Sequence, residues 1–378
     1  MKIAIVRERA DGETRVAATP ETVTKLIGLG AAVAIERGAG EAARFPDAEY
    51  EKSGATLTTG ADAVKDADIV LTVRRPSVET LIGAKGGALV IGAMDPYGSE
   101  GEIESLGKAG FTAVAMEFMP RITRAQVMDI LSSQANLAGY SAVLEAANSF
   151  DRAMPMMMTA AGTVRPAKVF VMGAGVAGLQ AIATAKRLGA VVSATDVRAA
   201  AGEQVESLGA KFIMTDALKD ASGTGGYARE LTDVEKAAQA ALTATHIAKQ
   251  DIVITTALIP GRPAPKLVSA GMVASMQPGS IIVDLAAERG GNVEVSSPDD
   301  VITTPNGVTI IRYKNWPARL STSASSLYAR NLFAFLETMF DKKTKAFAVN
   351  WDDELVKATV LTRDGAIVHP NIKLPGAA

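Results

Sequence analysis

The chain contains no cysteine, and its 378 residues include only two histidines and two tryptophans. Without cysteine there is no disulfide, no thiolate metal ligand and no cysteine nucleophile. With a net charge of −2, the chain offers no basic footprint for nucleic acid or anionic lipid. No apolar run approaches the ~18 residues that a membrane-crossing helix needs. The opening MKIAIVRERADGETR turns charged at Arg7 and lacks the apolar core and cleavage site of a secretory signal, so a cytoplasmic protein is expected. With 48% hydrophobic and 21% charged residues, the rest describes a globular protein able to bury a large core and long enough for two domains.

Scarcity of histidine also constrains the chemistry. A dehydrogenase acting on hydroxy or amino acids needs a proton acceptor or donor beside the hydride path, and histidine or lysine usually serves. His246 lies in the helical run DVEKAAQAALTATHIAKQ and His369 in the tail segment IVHP. Neither accompanies a glycine-rich loop or an acidic cluster, so each reads as structural or surface. Two isolated histidines do not make a metal site either.

Against these absences stands one dense signal, Lys168 to Arg198, KVFVMGAGVAGLQAIATAKRLGAVVSATDVR. It reads as a strand, a Gly173-Ala174-Gly175-Val176-Ala177-Gly178 turn, a helix, and a second strand ending at Asp196. Glycines permit the tight turn, close approach of backbone to a pyrophosphate and close helix packing, and the helix N-terminus favours an anion. Asp196 follows roughly 20 residues after the first glycine, where a carboxylate can bond a ribose 2′-hydroxyl. A 2′-phosphate would meet a like charge, which favours NAD over NADP, although Arg198 tempers that preference.

Strand and helix patterns alternate along most of the chain, as expected of an α/β protein with parallel sheets. The first third has apolar runs at Lys2–Val6, Ala32–Glu36, Asp68–Val73, Ala88–Ala93 and Phe111–Met116, with a helix Pro20–Leu29 stopped by Gly30. Ala125–Phe150 reads as one long helix. The nucleotide unit adds strands at Lys168–Met172, Val191–Thr195, Lys211–Thr215, Asp251–Ala257, Ser280–Ala286 and Val308–Arg312. Helical periodicity resumes over Ser325–Phe340. The expected organisation is two Rossmann-like domains. Residues 1–131 with 321–378 form a discontinuous Rossmann-like (flavodoxin-like) domain, and the NAD(H)-binding Rossmann domain, 132–320, is inserted into it.

Two further segments carry polar or unusual residues. Arg121, Gln126, Asp129 and Ser132 lie close together at the start of the long helix. If that helix begins near Ala125, Gln126, Asp129 and Ser133 share a face, with Ser132 at its edge. Such a set can grip a carboxamide and a ribose without moving protons; a capped helix start with ordinary surface charges is the alternative. The run Met154–Met158 reads as core filler. Asp216–Asp233, rich in glycine and containing Tyr227, reads either as a surface loop or as a lid closing over nucleotide.

Together RAQVMDILSSQANLAGY, MMMTAAGTV, GAGVAGLQAIATAKRLGAVVSATDVR, GGYARE, TTALIPG and TRDGAIVHP resemble the NAD(H)-binding domain I of proton-translocating nicotinamide nucleotide transhydrogenases, made in some bacteria as a separate alpha-1 subunit. The resemblance runs from RVAATPETV to the C-terminal tail. It implies a homodimer of two-lobed protomers related in fold to alanine dehydrogenase. It also implies a partner subunit holding NADP(H), and a membrane proton-channel subunit to which the chain is peripheral at the inner membrane. On the same resemblance, Arg121, Gln126, Asp129 and Ser132 align the nicotinamide end of NAD(H), with Ile122 and Thr123 beside them, and Tyr227 with Gly226 closes over it. Gly173, Gly175, Val176 and Gly178 cradle the pyrophosphate. Asp196, Val197 and Arg198 meet the adenosine side, and Gln239 and Leu258 are further contacts.

Alanine dehydrogenase supplies the rival reading. The chain shares with it Arg15, a substrate-binding position. Where that enzyme carries catalytic lysine and histidine, this chain reads Val73-Arg74-Arg75-Pro76 and IGAMDPYG around Asp95, and Glu288 replaces its aspartate. Arginine cannot act as a base at neutral pH. Hydride transfer between two nicotinamide rings releases no proton, so the missing base is then no handicap. Such a reaction needs the two rings aligned, with reacting carbons roughly 3–3.5 Å apart.

Overall fold

The structure, a computed structural model, describes residues 1–215, 229, 231–295, 300–341 and 343–374. It divides into two compact units, Met1–Gln134 with Ala318–Ala378, and Ala135–Pro317. Among the described residues no helix is long and apolar enough to cross a membrane.

In the first unit, short β-branched and aliphatic runs give β1 (Lys2–Ile5), β2 (Ala32–Glu36), β3 (Thr56–Thr58), β4 (Ile69–Arg74), β5 (Leu89–Ala93) and β6 (Thr112–Ala115). All pair in parallel, in the order β3-β2-β1-β4-β5-β6. This is the 3-2-1-4-5-6 order of dinucleotide folds, distinct from the 2-1-3-4-5 of flavodoxin-like sheets. A parallel sheet is covered on both faces, so its strands are apolar throughout rather than alternating, and Val70, Leu71, Val90 and Ile91 are buried on opposite sides. The helix Pro20–Gly28 starts with a Thr19–Thr22 capping box and Pro20 in its first turn, and the chain then turns at Gly30 with φ +93°. The helix Ser321–Glu337 buries Tyr328, Leu332, Phe335 and Leu336 in the same core. Strand β3 is absent from the sequence reading; with three residues it is too short to leave a periodic signal.

The strands of the second unit begin with a short hairpin, β7 (Met157–Thr159) and β8 (Gly162–Val164). It continues with β9 (Lys168–Met172), β10 (Val191–Thr195), β11 (Lys211–Phe212), β12 (Ile252–Thr255), β13 (Ile281–Asp284), β14 (Val301–Thr303) and β15 (Thr309–Ile311). The order of the main sheet is β11-β10-β9-β12-β13-β15-β14. All its ladders are parallel except that of β14, which runs antiparallel to β15 at the edge.

Two expectations fail here. The long helix spans Ile130–Ser149, not Ala125–Phe150, and is preceded by a separate 3₁₀ segment, Thr123–Met128. Asp129, between them, has ψ +95°, which breaks the helical periodicity, so Gln126 and Ser133 do not share a helix face. The methionine run is core only at Met154. The antiparallel β7–β8 hairpin leaves Met156, Met157, Met158 and Val164 exposed.

Candidate functional site

In the second unit, β9 is flanked by β10 on one side and β12 on the other, so strand order reverses beside β9. Open α/β sheets bind ligands at such a point, outside the carboxyl ends of the strands. Met172 pairs in register with Thr195 and with Thr255, so the residues that follow all three strands leave the sheet along one edge. These are Gly173–Gly178, Asp196–Arg198 and Thr256–Leu258.

Each glycine of the turn answers a different demand. Gly173 has φ +105° and donates its N–H to Thr195 O at 2.8 Å. A Cβ on Gly178 would stand 1.8 Å from Gly173 O, so only glycine lets the helix Val176–Arg187 close on the turn. The long helix presses equally hard, since a Cβ on Gly139 would meet Ala177 O at 2.0 Å. Gly175, the helix N-cap, differs: it is exposed, and a Cβ there would touch nothing within 4 Å. Beside it Val176 is 40% exposed. Tightly packed glycines thus hold the turn while one faces open space at a helix N-terminus, a cradle an anion fits.

Asp196 is buried, and its carboxylate accepts from Ala174 N at 2.8 Å, from Arg198 N at 2.9 Å and from the Arg198 guanidinium at 2.8 Å. Burial opposes its ionisation, yet the Arg198 bonds and the Ala174 N–H hold it below the ordinary carboxylate range. The acid therefore fixes the turn as well as standing near it. Val197 is half-buried between the pair, and Leu258 is 48% exposed. On the helix Asp233–Ile247, Gln239 has a buried Oε1 with no hydrogen-bond partner among the described residues, an acceptor open to a donor such as an exocyclic amine. These features fit a dinucleotide. Gly226 and Tyr227 lie outside the described residues.

In the first unit, Arg121, Thr123 and Gln126 are exposed, and Ile122 is half-buried against the core. The Gln126 amide makes no side-chain hydrogen bond among the described residues. Asp129 and Ser132 are committed to each other: the Asp129 carboxylate accepts from Ser132 N at 2.9 Å and from Ser132 Oγ at 2.6 Å. This is an N-cap for the long helix, and it makes that pair a scaffold beside Gln126.

The same unit contains an ionic cluster that the sequence did not announce. The fully shielded Glu13 carboxylate bonds Arg15 at 2.7 Å and Arg74 at 3.0 Å. Burial opposes its charge, but the Arg15 bonds and charge, aided by Arg74, bring its pKa down to about 2. Glu8 accepts from the backbone N–H groups of Val73 and Arg74, yet burial and the neighbouring Glu13 charge push it up to about 7. Arg75 donates to the carbonyls of Met94 and Asp95. Glu13 and Arg15 are near neighbours, but spacing in the sequence gives no hint of their contacts with Arg74 or of those of Glu8 and Arg75, because those partners come from the ends of different strands.

Both histidines are engaged in packing. His246 Nε2 meets Ser193 Oγ at 2.8 Å and its ring packs on Phe170, while burial and two nearby lysines lower its pKa. His369 stacks on Phe118 and bonds the Ala358 carbonyl at 3.1 Å, and burial lowers its pKa too.

The chain matches two family descriptions, Alanine dehydrogenase/PNT, N-terminal domain, over residues 4–138 and Alanine dehydrogenase/PNT, C-terminal domain, over residues 142–370. It is 52% identical to the first portion of the NAD(P) transhydrogenase alpha subunit of Rhodospirillum rubrum, covering 100% of both chains. A solved transhydrogenase from Sinorhizobium meliloti superposes with a TM-score of 0.88 at 58% identity, covering 97% of this chain and 100% of that one. Alanine dehydrogenases are more distant: that of Mycobacterium tuberculosis is 32% identical over 79% of this chain and 76% of its own length.

Proposed function

The chain belongs to the NAD(P) transhydrogenase alpha-subunit family, and we propose that it is the NAD(H)-binding subunit of a proton-translocating enzyme, aligning NADH for direct hydride transfer to NADP+ held by a partner subunit. The observation that supports this reading is a closely packed glycine turn left open at a helix N-terminus, in a chain whose only two histidines are both spent on packing. Bound NADH supplies the hydride: one C–H bond breaks at a nicotinamide C4, another forms on the acceptor ring, and no proton is released.

The protein's part is alignment. Gly175 and Val176 receive the pyrophosphate at the helix N-terminus, with Gly173 and Gly178 keeping the turn closed. Asp196, Val197 and Arg198 take the adenosine side, joined by Leu258, and Gln239 Oε1 accepts from the adenine amine. Gln126 and Arg121 orient the nicotinamide carboxamide, with Ile122 and Thr123 beside them, and the Asp129–Ser132 cap keeps their segment in place. Gly226 and Tyr227 close over the nucleotide and exclude water.

The reading includes a homodimer, a membrane proton-channel subunit, and peripheral attachment at the cytoplasmic face of the inner membrane through those partners. The exposed methionines of the β7–β8 hairpin suit a contact with a second copy. An alanine-type dehydrogenase is disfavoured, since Glu13 already engages the Arg15 guanidinium that would have to receive a substrate carboxylate.

Mixed with an NADP(H)-binding partner subunit, the chain should transfer hydride from NADH to NADP+; alone it should bind NADH and turn over almost nothing. Reduction of NAD+ by L-alanine with the isolated chain, or no transfer with any such partner, overturns the proposal. Gln126→Ala should slow the bound-state hydride step roughly tenfold to a hundredfold while NADH affinity stays within about twofold, because misorientation costs rate more than binding.

A further inference from the structure

The helix Ser321–Glu337 is apolar toward the core of the first unit except for a row of buried polar residues, Ser325, Tyr328 and Asn331. Each is spent on another segment of the chain rather than on the helix itself. Ser325 Oγ accepts from Val16 N at 3.1 Å. Tyr328 donates to the Thr72 and Val73 carbonyls and accepts from Ala93 N. Asn331 donates from Nδ2 to the Val127 carbonyl at 2.8 Å and accepts at Oδ1 from Ser133 Oγ at 2.7 Å. Val127 is the immediate neighbour of Gln126 in the 3₁₀ segment.

Followed backwards, the bonds form one chain in which each group donates to the next, Ser133 Oγ favouring Asn331 at 2.7 Å over the Ile130 carbonyl at 3.2 Å. Arg15 Nη1 donates to Gln134 Oε1 at 2.9 Å, Gln134 Nε2 donates to Ser133 Oγ at 3.2 Å, Ser133 Oγ donates to Asn331, and Asn331 donates to Val127 O. Gln134 and Asn331 are each less than 10% exposed. Gln134 is also anchored to the Ala324 carbonyl at 3.1 Å. Shielded bonds aligned head to tail polarise one another, and here one is buried and three are half-buried, so a break at Gln134 or Asn331 leaves a buried amide short of a partner.

We propose that Asn331 is a positioning residue for Gln126: it closes a one-way hydrogen-bond chain from the Glu13–Arg15 ion pair to the Val127 carbonyl and so fixes the segment that presents the Gln126 amide. The proposal rests on the reading that Gln126 orients the nicotinamide. A short 3₁₀ segment has poorer hydrogen-bond geometry than an α-helix and needs such external support. An exposed, uncommitted amide transfers orientation to a ligand only if its own backbone is held.

The test uses the full chain with an NADP(H)-binding partner and the variants Asn331→Ala and Ser133→Ala, the second a smaller change that keeps the proposal testable should the first fold poorly. Three quantities are measured: single-turnover hydride transfer, NADH affinity by fluorescence titration, and amide hydrogen exchange over residues 122–130. We expect transfer to slow roughly tenfold for Asn331→Ala and less for Ser133→Ala. NADH affinity should stay within about twofold, exchange should quicken in that segment, and Asn331→Ala with Gln126→Ala should be no slower than Gln126→Ala alone. Unchanged exchange overturns the positioning role and leaves the reading of Gln126 standing. Faster exchange with additive rate losses overturns the link between the two residues. If Gln126→Ala itself transfers hydride at the normal rate, the reading of Gln126 fails and the functional role of Asn331 falls with it.

Discussion

At the residue scale, the glycines of the nucleotide turn separate structure from binding. Gly175 has φ −80°, which alanine adopts freely, and its missing Cβ points at open space. Gly175→Ala should therefore leave stability within about 0.5 kcal/mol of the parent, as for an exposed substitution. The added methyl stands where the pyrophosphate would press against the backbone, so NADH affinity should fall about tenfold or more, some 1.4 kcal/mol. Gly178→Ala should behave oppositely, destabilising by roughly 1–3 kcal/mol because the new Cβ collides with the Gly173 carbonyl. Thermal unfolding and fluorescence titration of both variants decide the matter. If Gly175→Ala binds NADH as the parent does, the cradle is not where the pyrophosphate lies. The spacing of these glycines was legible in the sequence, as was the acid after β10. Which glycine faces solvent and which two are walled in was not, because that depends on how closely the Gly173 carbonyl returns onto Gly178 and on Thr256 arriving from the end of β12.

At the scale of elements, the boundary between the 3₁₀ segment and the long helix is the part the sequence concealed. TRAQVM has ample helix formers, so periodicity alone carries the helix back to Ala125. The competing signal is Asp129 followed three residues later by Ser132, a cap at the true helix start. Read as a cap, it would have moved the helix start by five residues and separated Gln126 from Ser133. The methionine run misled for a related reason: composition says apolar, but a hairpin turning at Thr159–Gly162 exposes both of its strands. Here Asp129→Ala should cost about 1 kcal/mol, the usual value of a lost N-cap, whereas Asp129→Asn keeps an acceptor for the Ser132 N–H and should cost a few tenths. Chemical denaturation checks both. Equal losses for the two substitutions would mean that the charge of Asp129, not its capping bond, supports the helix.

At the scale of the whole molecule, the alternation of strand and helix signals was enough to anticipate α/β architecture with parallel sheets, because strands buried on both faces announce themselves as unbroken apolar runs. Strand order and the joining of Glu8 and Glu13 to the end of β4 in one ionic cluster were beyond reach, since both bring together residues far apart in the chain. That cluster sets the molecule's response to pH. Glu8 is raised from 4.5 to about 7 in the folded state, so its contribution is full below pH 4.5 and is lost as pH rises toward 7. Glu13 is lowered from 4.5 to about 2, so its contribution is present above pH 4.5 and is lost as pH falls toward 2. The two carboxylates thus pull the stability curve down from opposite sides of mildly acidic pH. Glu8→Gln removes the ionisation that burial and Glu13 resist, so the variant's melting temperature should gain on the parent's steadily as pH rises from about 5 to 8. Glu13→Gln leaves Arg15 and Arg74 without their buried counter-charge, and its deficit should be largest near neutrality and shrink below about pH 4. Melting curves of the parent and both variants across that range measure the two differences directly. A Glu8→Gln offset that stays constant with pH would mean that Glu8 is ionised throughout, held so by the Val73 and Arg74 amides in spite of its burial.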